Sequence, residues 1–339
     1  MQNILKTIPD EPKIPLENYL MDLVMETDGK ESSLYLRGVE KFIQEIWHDI
    51  VQNNWRTIKV RQFIPENFGV HHVMLYAYKN GKKSIPIQAM DKLLLLWKRY
   101  GGKSSKEIQE KWDEIFNSEF NLSVSAYYTG TKLPKYLSPK LSYLTGWICG
   151  DGHMRTDSNH YIVKISEKSE SQLQYILQPL FQQLFGVTPP IFRIYKGGYA
   201  IQIGSKPIFR FLTKILKIKV GEIPRWISKL DEINKKYFLV GLFDSEGYVS
   251  KSRPRLTISQ ADSTFLRKVI RLFSEFGIEI KGPTTHRSKL GIWYTIRIDG
   301  KKEFLKFVDL IGSCHFDKSI RLKEMADKIN AYRNCSHTT

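Results

Sequence analysis

Two acidic residues each stand directly before a glycine at the end of an apolar stretch. Asp151 follows the apolar residues of YLTGWICGDG (143–152), and Glu246 follows those of YFLVGLFDSEG (237–247). Both stretches are predicted to be helices, and a carboxylate at a helix C-terminus opposes the helix dipole by roughly 0.3–1 kcal/mol. A divalent cation shared by two such acids removes this cost and their mutual repulsion, because carboxylate and carbonyl oxygens suit Mg²⁺. The repeated pattern predicts a metal site, and the alternative is two surface acids that never meet.

Small residues indicate that the two predicted helices pack against each other. Gly146 and Gly150 lie four residues apart in the first stretch, and Gly241 and Ser245 lie four apart in the second. Residues at this spacing share one helix face, so small side chains there let two helix backbones approach closely. Close packing of the pair would bring the two acidic ends side by side.

The sequence from residue 141 onward repeats one order of elements twice. Each half has an apolar helix ending in acid-glycine, a strand with period-two alternation, an amphipathic helix, a hairpin and a final helix. The strands are YIVKIS and RLTIS, the amphipathic helices are Leu173–Phe185 and Phe265–Phe276, and the final helices are KPIFRFLTKIL and KKEFLKFVDLIG. This duplication predicts two consecutive αββαββα-like units and an α+β fold class.

The segments LTGWICGDG and LVGLFDSEG resemble the two copies of the nine-residue LAGLIDADG motif. Residues 136–325 as a whole resemble a single-chain, two-motif LAGLIDADG homing endonuclease. The resemblance implies tandem αββαββα halves with pseudo-two-fold symmetry and saddle-shaped antiparallel sheets, preceded here by a mostly helical domain. We expect domain boundaries at 1–135, 136–230 and 231–339.

The resemblance also implies a reaction, the hydrolysis of one phosphodiester on each strand of duplex DNA. The metal-binding acid of the motif falls on Asp151 and Glu246, and the preceding main-chain carbonyl ligands fall on Gly150 and Ser245. Mg²⁺, with Mn²⁺ as a substitute, would bridge the acids and activate water on each scissile phosphate.

A basic residue often follows the first strand of each half in this family and tunes the water network. Lys168 in ISEKS takes this place in the first half, whereas ISQAD in the second half has Gln260 followed by Ala261. Lys168 and Gln260 therefore join the candidate catalytic residues, and the departure at Ala261 predicts unequal cleavage of the two strands or a weakened enzyme. The alternative for Lys168 is a solvated lysine at the start of a helix.

The polar faces of the predicted strands are candidate DNA-binding surfaces. Side chains alternate between the two faces of a strand, so the residues between the apolar positions face outward together. Arg and Lys can bind guanine edges, Gln can bind adenine, and hairpin-tip lysines suit phosphates. The candidates are Lys164, Arg193, Tyr195, Lys196 and Gln202 in the first half, and Arg255, Thr257, Arg287, Lys289, Trp293, Thr295 and Arg297 in the second.

The charge balance favours a polyanionic partner. Lys and Arg number 52 against 35 acids, which gives a formal net charge of +17. Phosphate backbones reward clustered basic residues through counterion release, although a merely basic surface would have the same composition. We expect a monomer that binds double-stranded DNA at a long asymmetric target site.

Cysteine usage and hydropathy limit the compartment. Cys149, Cys314 and Cys335 have no regular spacing, so they predict neither a disulfide framework nor a zinc site and favour a reducing compartment. Residues 1–10 lack a secretory pattern, and no apolar stretch is long enough to span a membrane. We expect a soluble protein without a membrane partner, either cytoplasmic and nucleoid-associated or organellar.

The first 135 residues are predicted to be mostly helical. The stretch 68–102 suggests a short helix, a turn at Asn80-Gly81 and a longer helix opened by Pro86, which resembles the helix-turn-helix pattern of Cro-like repressor domains. On that interpretation the short helix exposes His71, His72, Tyr76 and Lys79. A plain packing domain has the same pattern, and both interpretations stay open.

Three other functional classes share parts of this pattern. A maturase of the same fold binds intron RNA, with or without cleavage. A DNA-binding regulator keeps the sheets but normally loses the acids, so the presence of both acids favours catalysis. An intein carrying a nuclease would need Cys, Ser or Thr at its splice start, and Met1 argues against it despite Asn334-Cys335.

Overall fold

The computed structural model describes residues 7–24, 34–54, 59–124, 130–157, 160–195, 197–289 and 291–335. Over these residues the chain forms two compact units. The tandem unit comprises residues 1–14, 136–205 and 216–339, and the helical unit comprises residues 15–135 and 206–215. The first segment of the helical unit ends at residue 135, whereas residues before 15 belong to the tandem unit and residues 206–215 are added to the helical unit.

Within its described part, the helical unit has six helices from residues 15–135 and a small sheet in the order β3-β2-β4. Its apolar helix faces meet in a core that includes Ile46, Leu93 and Leu94, all of which are buried. The elements up to the first motif helix are β1 (Ile14–Pro15), α1 (Leu20–Val24), β2 (Tyr35–Arg37), α2 (Glu40–Asn54), α3 (Val60–Phe68), α4 (His72–Lys79), β3 (Ile85–Pro86), α5 (Ile87–Tyr100), α6 (Ser105–Asn117), β4 (Asn121–Ser123) and β5 (Tyr136–Leu137).

The remaining chain repeats helix-strand-strand-helix-strand-strand-helix twice. The first half has α7 (Pro139–Asp151), β6 (Gly152–Asp157), β7 (His160–Glu167), α8 (Glu170–Gln172), a π-helical turn (Leu173–Leu177), α9 (Gln178–Phe185), β8 (Ile191–Arg193), β9 (Tyr199–Gly204) and α10 (Lys206–Arg210), which continues as a π-helical turn (Phe211–Ile215). After a 3₁₀ turn (Arg225–Lys229), the second half has α11 (Glu232–Glu246), β10 (Gly247–Val249), β11 (Arg255–Gln260), α12 (Ser263–Glu275), β12 (Lys281–Ser288), β13 (Gly291–Asp299), α13 (Lys301–Leu310) and the additional α14 (Phe316–Cys335).

The two four-stranded sheets of the tandem unit have the same antiparallel topology. Their strand orders are β6-β7-β9-β8 and β10-β11-β13-β12, so the second strand of each half lies between the first and the fourth. In both halves the residues of the central strands alternate between a buried face and a polar face, as the period of two requires. The predicted α+β fold with two αββαββα halves is confirmed.

The last helix of the first half belongs to the helical unit. The Phe211 ring lies 5.4 Å from that of Tyr19, and Arg210 donates to the carbonyl of Leu23. Phe211 and Leu212 are fully buried. Residues 206–215 are therefore part of the core of the helical unit.

The motif helices α7 and α11 pack along their length. Ser138 caps α7 by accepting from the amide of Leu141, and Asp231 caps α11 by accepting from the amide of Asn234. Nearly every residue of α7 is buried, which explains why its sequence is apolar on all sides.

Two glycines make this close approach possible. A Cβ atom added to Gly146 would lie 2.2 Å from the carbonyl oxygen of Phe238, and one added to Gly241 would lie 2.0 Å from that of Tyr143. These distances leave no room for a side chain, so the glycines bring the backbones of α7 and α11 into contact.

Gly241→Ala is expected to lower the free energy of unfolding by about 1–3 kcal/mol, because the new methyl group must push two buried helices apart. The higher helix propensity of alanine than of glycine would by itself raise the free energy of unfolding of the variant by about 1 kcal/mol. Denaturant unfolding measures the change. Gly204→Ala is the control, since Gly204 has no atom within 4 Å of the added Cβ, and equal stability of both variants would contradict close packing at Gly241.

Candidate active site

The acidic ends of α7 and α11 lie next to each other. A Cβ atom added to Gly150 would lie 2.1 Å from Oγ of Ser245 and 2.8 Å from Cγ of Glu246. The residue before Asp151 therefore touches both the acid of the other helix and the residue that precedes it. The structure brings Asp151 and Glu246 together, as the glycine spacing predicted.

Both carboxylates have raised pKa values because each is partly buried and close to another acid. Burial, and then repulsion from Asp151, raises the pKa of Glu246 to about 7. Burial, and then repulsion from Glu167, raises the pKa of Asp151. Asp151 keeps exposed surface and Glu246 is half-buried, so the acidic pair is open to solvent on one side.

A lysine from α14 lies beside these acids. The ammonium of Lys318 donates to three carbonyl oxygens at the end of α11, at 3.0 Å from Phe243, 2.6 Å from Asp244 and 3.3 Å from Ser245. Burial lowers the pKa of Lys318, while Asp244, Glu167, Asp151 and Glu246 raise it. A positive charge thus already occupies the negative end of the α11 dipole.

A buried acid anchors the segment that leads into α14. Asp244 accepts from the hydroxyl of Tyr143 on α7 at 2.8 Å, from the hydroxyl of Ser313, and from the amide of Cys314 at 3.0 Å. Burial raises the pKa of Asp244 despite these donors and Lys318. Asp244 links both motif helices to the loop before α14, which fixes the position of Lys318.

The two halves supply different partners at the ends of their second strands. Gln260, at the end of β11, donates to Oε1 of Glu246 at 2.6 Å. The residue at the equivalent place in β7 is Glu167, which accepts from the amides of Lys168 and Ser169. Gln260 therefore joins the site as predicted.

The role expected of the Lys168 side chain stays a prediction. Its side chain is exposed, and its backbone amide rather than its ammonium bonds to Glu167. The cation that lowers the pKa of Asp151 is Lys318. The sequence analysis missed Lys318, Glu167 and Asp244. Of these, only Asp244 offered a signal, because it is an acid within the segment LVGLFDSEG.

The donor set fits a divalent cation with few protein ligands. No group of three or more His, Cys, Asp or Glu side chains converges in the described part of the chain. Two adjacent carboxylates whose pKa values are raised by burial and by a neighbouring acid are nevertheless suited to Mg²⁺, which takes one or two carboxylates and completes its shell with water and phosphate. Of the two predicted carbonyl ligands, the carbonyl oxygen of Ser245 already accepts a hydrogen bond from the Lys318 ammonium.

The polar face of the first sheet differs from the prediction at its edge strand. Lys164 of β7 lies opposite His153 of β6 and Gln202 of β9, so these three share a face. Phe192 of β8 joins them, with the Lys164 ammonium 5.6 Å from its ring. Arg193 alternates with Phe192 and pairs with Tyr199, so its predicted place on this face is wrong.

The polar face of the second sheet is larger. Register pairs put Thr257 opposite Arg297 and Arg255 opposite Asp299, and both arginines form ion pairs with Asp299. Thr295 lies on the same face, and so does Trp293. The Trp293 ring stacks on the His286 ring, with 5.5 Å between the ring centroids.

Arg287 lies on the other face of the second sheet. It pairs with Ile292, one residue away from the His286–Trp293 pair, so its predicted place beside Trp293 is wrong. A register shift between Lys281 and Thr284 shows that β12 is irregular. The polar faces also contain residues that the sequence analysis did not select, which are His153, Arg155, Phe192, Tyr248, Lys281 and His286.

Two further candidates lie outside the strands. Tyr195, predicted on the strand face, lies beyond the end of β8 and is almost fully exposed, and the predicted hairpin-tip residue Lys289 is exposed between β12 and β13. Lys196 lies outside the described residues.

Part of the tandem unit matches a known family model. The family model of the LAGLIDADG-like domain matches residues 234–312, which run from α11 to just past α13. This match confirms the resemblance in the second half, and the first half repeats its order of elements and strands.

Two curated proteins resemble parts of the chain. Glutamine–fructose-6-phosphate aminotransferase of Methanocaldococcus jannaschii is 25% identical over 295 residues, which cover 83% of this chain and 25% of that protein. The DNA polymerase of Thermococcus kodakarensis is 26% identical over 183 residues, covering 50% of this chain and 10% of the polymerase. The matched regions thus span a quarter of the aminotransferase and a tenth of the polymerase.

Solved structures with a similar fold include I-DmoI in complex with DNA and Ca, which is 23% identical and has a TM-score of 0.41, covering 51% of this chain and 88% of that one. Full-length DUF199/WhiA from Thermatoga maritima is 19% identical with a TM-score of 0.40, covering 57% of this chain and 60% of that one.

Among the described helices, none is long and apolar enough to cross a membrane.

Raising the pH through 4.5–7 without divalent ions is expected to destabilise the protein. The folded pKa of Glu246 is above its ordinary value, so the folded state holds the extra proton and stability falls as that proton is lost near pH 7. The shift corresponds to at most about 3 kcal/mol. Thermal unfolding in EDTA should show a fall in stability as the pH rises, and this fall should be smaller in Glu246→Gln. Superimposable pH profiles of the wild type and the variant would show that Glu246 is not its origin.

Proposed function

We propose that the protein is a metal-dependent endonuclease that cuts both strands of duplex DNA at a specific site. The observation that carries this proposal is the convergence of Asp151 and Glu246 at the ends of α7 and α11, beside the Lys318 ammonium. Two acids held together at a raised pKa have no evident role in packing, because apolar residues supply the helix contact.

Asp151 and Glu246 would hold Mg²⁺ or Mn²⁺, with carbonyl oxygens of Gly150 and Ser245 as further ligands. A divalent ion bound there would activate a water and neutralise charge on the scissile phosphate. Gln260 orients the Glu246 carboxylate through its 2.6 Å hydrogen bond. Lys318 supplies a fixed positive charge next to both acids, where it can stabilise the negative charge that develops during hydrolysis.

The polar faces of the two sheets would hold the duplex. Lys164, Gln202, Arg255 and Arg297 can contact base edges or phosphates, and His286–Trp293 adds a flat apolar surface. The overall charge of +17 supports binding to a phosphate backbone. The unequal chemistry of the two faces favours an asymmetric target.

One observation favours a non-cleaving DNA-binding regulator as the second candidate. The Lys318 ammonium already donates to the Ser245 carbonyl that a metal ion would use. A site neutralised by its own lysine would keep the DNA-binding surfaces without needing a metal ion. The two candidates differ in one measurable property, which is cleavage.

Cleavage can be tested by selecting the target sequence and cutting it in one experiment. Duplexes bound by the protein in EDTA are selected from a random library, exposed to Mg²⁺, and their ends are sequenced. We expect double-strand breaks at one position of an enriched sequence with Mg²⁺ or Mn²⁺ and none in EDTA. Enrichment of a sequence that stays intact in every divalent metal ion would support the regulator instead, and preferential retention of structured RNA would support a maturase.

A further inference from the structure

The helical unit contains a helix-turn-helix formed by α3 and α4. Phe68 ends α3, Gly69 has a left-handed backbone at φ 73°, and α4 begins at His72 after a three-residue turn. The His71 side chain caps α4 by accepting from the amide of Val73 at 3.4 Å. A short turn with glycine between two helices is the signature of this motif. The turn lies one helix earlier than the Asn80-Gly81 turn expected from the sequence.

One apolar face of each helix of this motif points inward. Ile64 and Phe68 of α3 are buried, as are Leu75 and Tyr78 of α4. This packing fixes the angle between the helices and holds α4 against α2. The opposite face of α4 remains on the surface, with Val73 and Tyr76 each more than half exposed.

The exposed face of α4 lies in the most basic part of the helical unit. Residues 59–99 contain eight Lys or Arg residues and two acids, whereas residues 100–135 contain five of each. The Lys79 ammonium lies 5.7 Å from the Tyr76 ring. Desolvation, and then the charges of His71 and Arg61, lowers the pKa of His72, which indicates that Arg61 of α3 lies near the start of α4.

We propose that α3 and α4 form a second duplex-DNA-binding element, with α4 entering the major groove. An eight-residue helix with exposed Val73 and Tyr76 and half-buried Lys79 offers an apolar contact, an aromatic hydroxyl and a cation to base edges and phosphates. Arg61 at the start of α3 suits a phosphate beside the groove. This element does not depend on the acids at Asp151 and Glu246, so it would be retained in a nuclease or in a regulator.

The test uses the full-length chain and a labelled 60-base-pair duplex of random sequence in EDTA, where no cleavage occurs. Affinity is measured by fluorescence anisotropy from 50 to 400 mM NaCl for the wild type, for Arg61→Ala and for the double variant Tyr76→Ala/Lys79→Ala. Lys106→Ala is the control, since Lys106 is an exposed lysine of α6 in the same unit. All substituted residues are exposed or half-buried, so thermal unfolding should change little.

Each lost phosphate contact is expected to reduce the slope of log affinity against log salt by about 0.9. We expect this for Arg61→Ala, and at least a tenfold loss of affinity for the α4 double variant, with wild-type behaviour of Lys106→Ala. Wild-type affinity and slope in both the Arg61 and α4 variants would overturn the proposal. Displacement of the duplex by an equal concentration of hairpin RNA would also overturn the proposal.

The outcome is separable from that of the proposed nuclease. The same measurements in an Asp151→Asn background remove cleavage and leave the helical unit unchanged. Loss of binding through the α4 substitutions in that background supports the second element whether or not the protein cuts DNA. An unchanged affinity there contradicts it, even if the wild type proves to be an endonuclease.

Discussion

Replacing Asp151 by asparagine, or Glu246 by glutamine, is expected to abolish double-strand cleavage while duplex binding persists. Each substitution removes one of the two carboxylates that meet at the ends of α7 and α11. A neutral amide ligates Mg²⁺ far more weakly, and a loss of several kcal/mol in transition-state stabilisation corresponds to a rate reduction of about a thousandfold or more. Single-turnover cleavage of the selected duplex gives the rate for each strand.

Because both acids lie at one place, either substitution should slow both strands rather than one. Glu232→Gln is the matched control, since Glu232 is an exposed acid in the first turn of the same helix as Glu246. Binding in EDTA should be equal or tighter in the two active-site variants, because repulsion of phosphate by a carboxylate has been removed. Full cleavage by either variant would show that hydrolysis does not depend on the acidic pair.

Lys318→Met is expected to have the second-largest effect, on stability as well as on cleavage. The ammonium satisfies three carbonyl oxygens of α11 and offsets the charges of Asp244, Glu167, Asp151 and Glu246. Its removal takes the ammonium away from buried negative charge, and breaking a buried ion pair typically costs about 3–5 kcal/mol. Chemical denaturation with and without Mg²⁺ measures the loss, and Mg²⁺ should restore part of it because the ion neutralises the same carboxylates.

Lys323→Met provides the control for Lys318, as an exposed lysine five residues further along α14. Under the nuclease proposal, Lys318→Met should cut DNA more slowly even at saturating Mg²⁺, since the ion does not replace the hydrogen bonds that the ammonium donates to the α11 carbonyl oxygens. An increase in cleavage would instead mean that the lysine competes with the metal ion for the Ser245 carbonyl. Wild-type stability of Lys318→Met would contradict the role of the ammonium at the α11 terminus.

The core of this fold could be predicted because its determinants are local. Gly146 and Gly241 mark the contact of the motif helices, and the acid-glycine pairs mark their ends, so α7, α11 and the repeat of strands followed from spacing alone. Asp151 and Glu246 were expected together because a shared cation would offset the cost of two acids at unfavourable helix ends, whereas two surface acids that never meet were the alternative. The geometry of the glycines bears out that reasoning.

Residues selected by long-range packing or strand register could not be predicted in the same way. Lys318 reaches the site from α14, and nothing near it in sequence distinguishes it from other lysines of that helix. Arg193 lies in a strand of only three residues, too short for alternation to define a face. Arg287 lies across the hairpin turn from Trp293, and the face that its side chain takes depends on the register that pairs it with Ile292, which alternation along one strand does not give.

The insertion of residues 206–215 into the core of the helical unit has a consequence for folding during synthesis. Domains generally fold as units as the chain emerges, beginning at the N-terminus. Here residues 15–135 emerge first but lack Phe211 and Arg210, which pack on Tyr19 and bond to Leu23. The helical unit is completed only after the strands of the first sheet have been made. The ribosome therefore delivers the two units as interleaved segments, and neither can be cut from the gene as one continuous stretch.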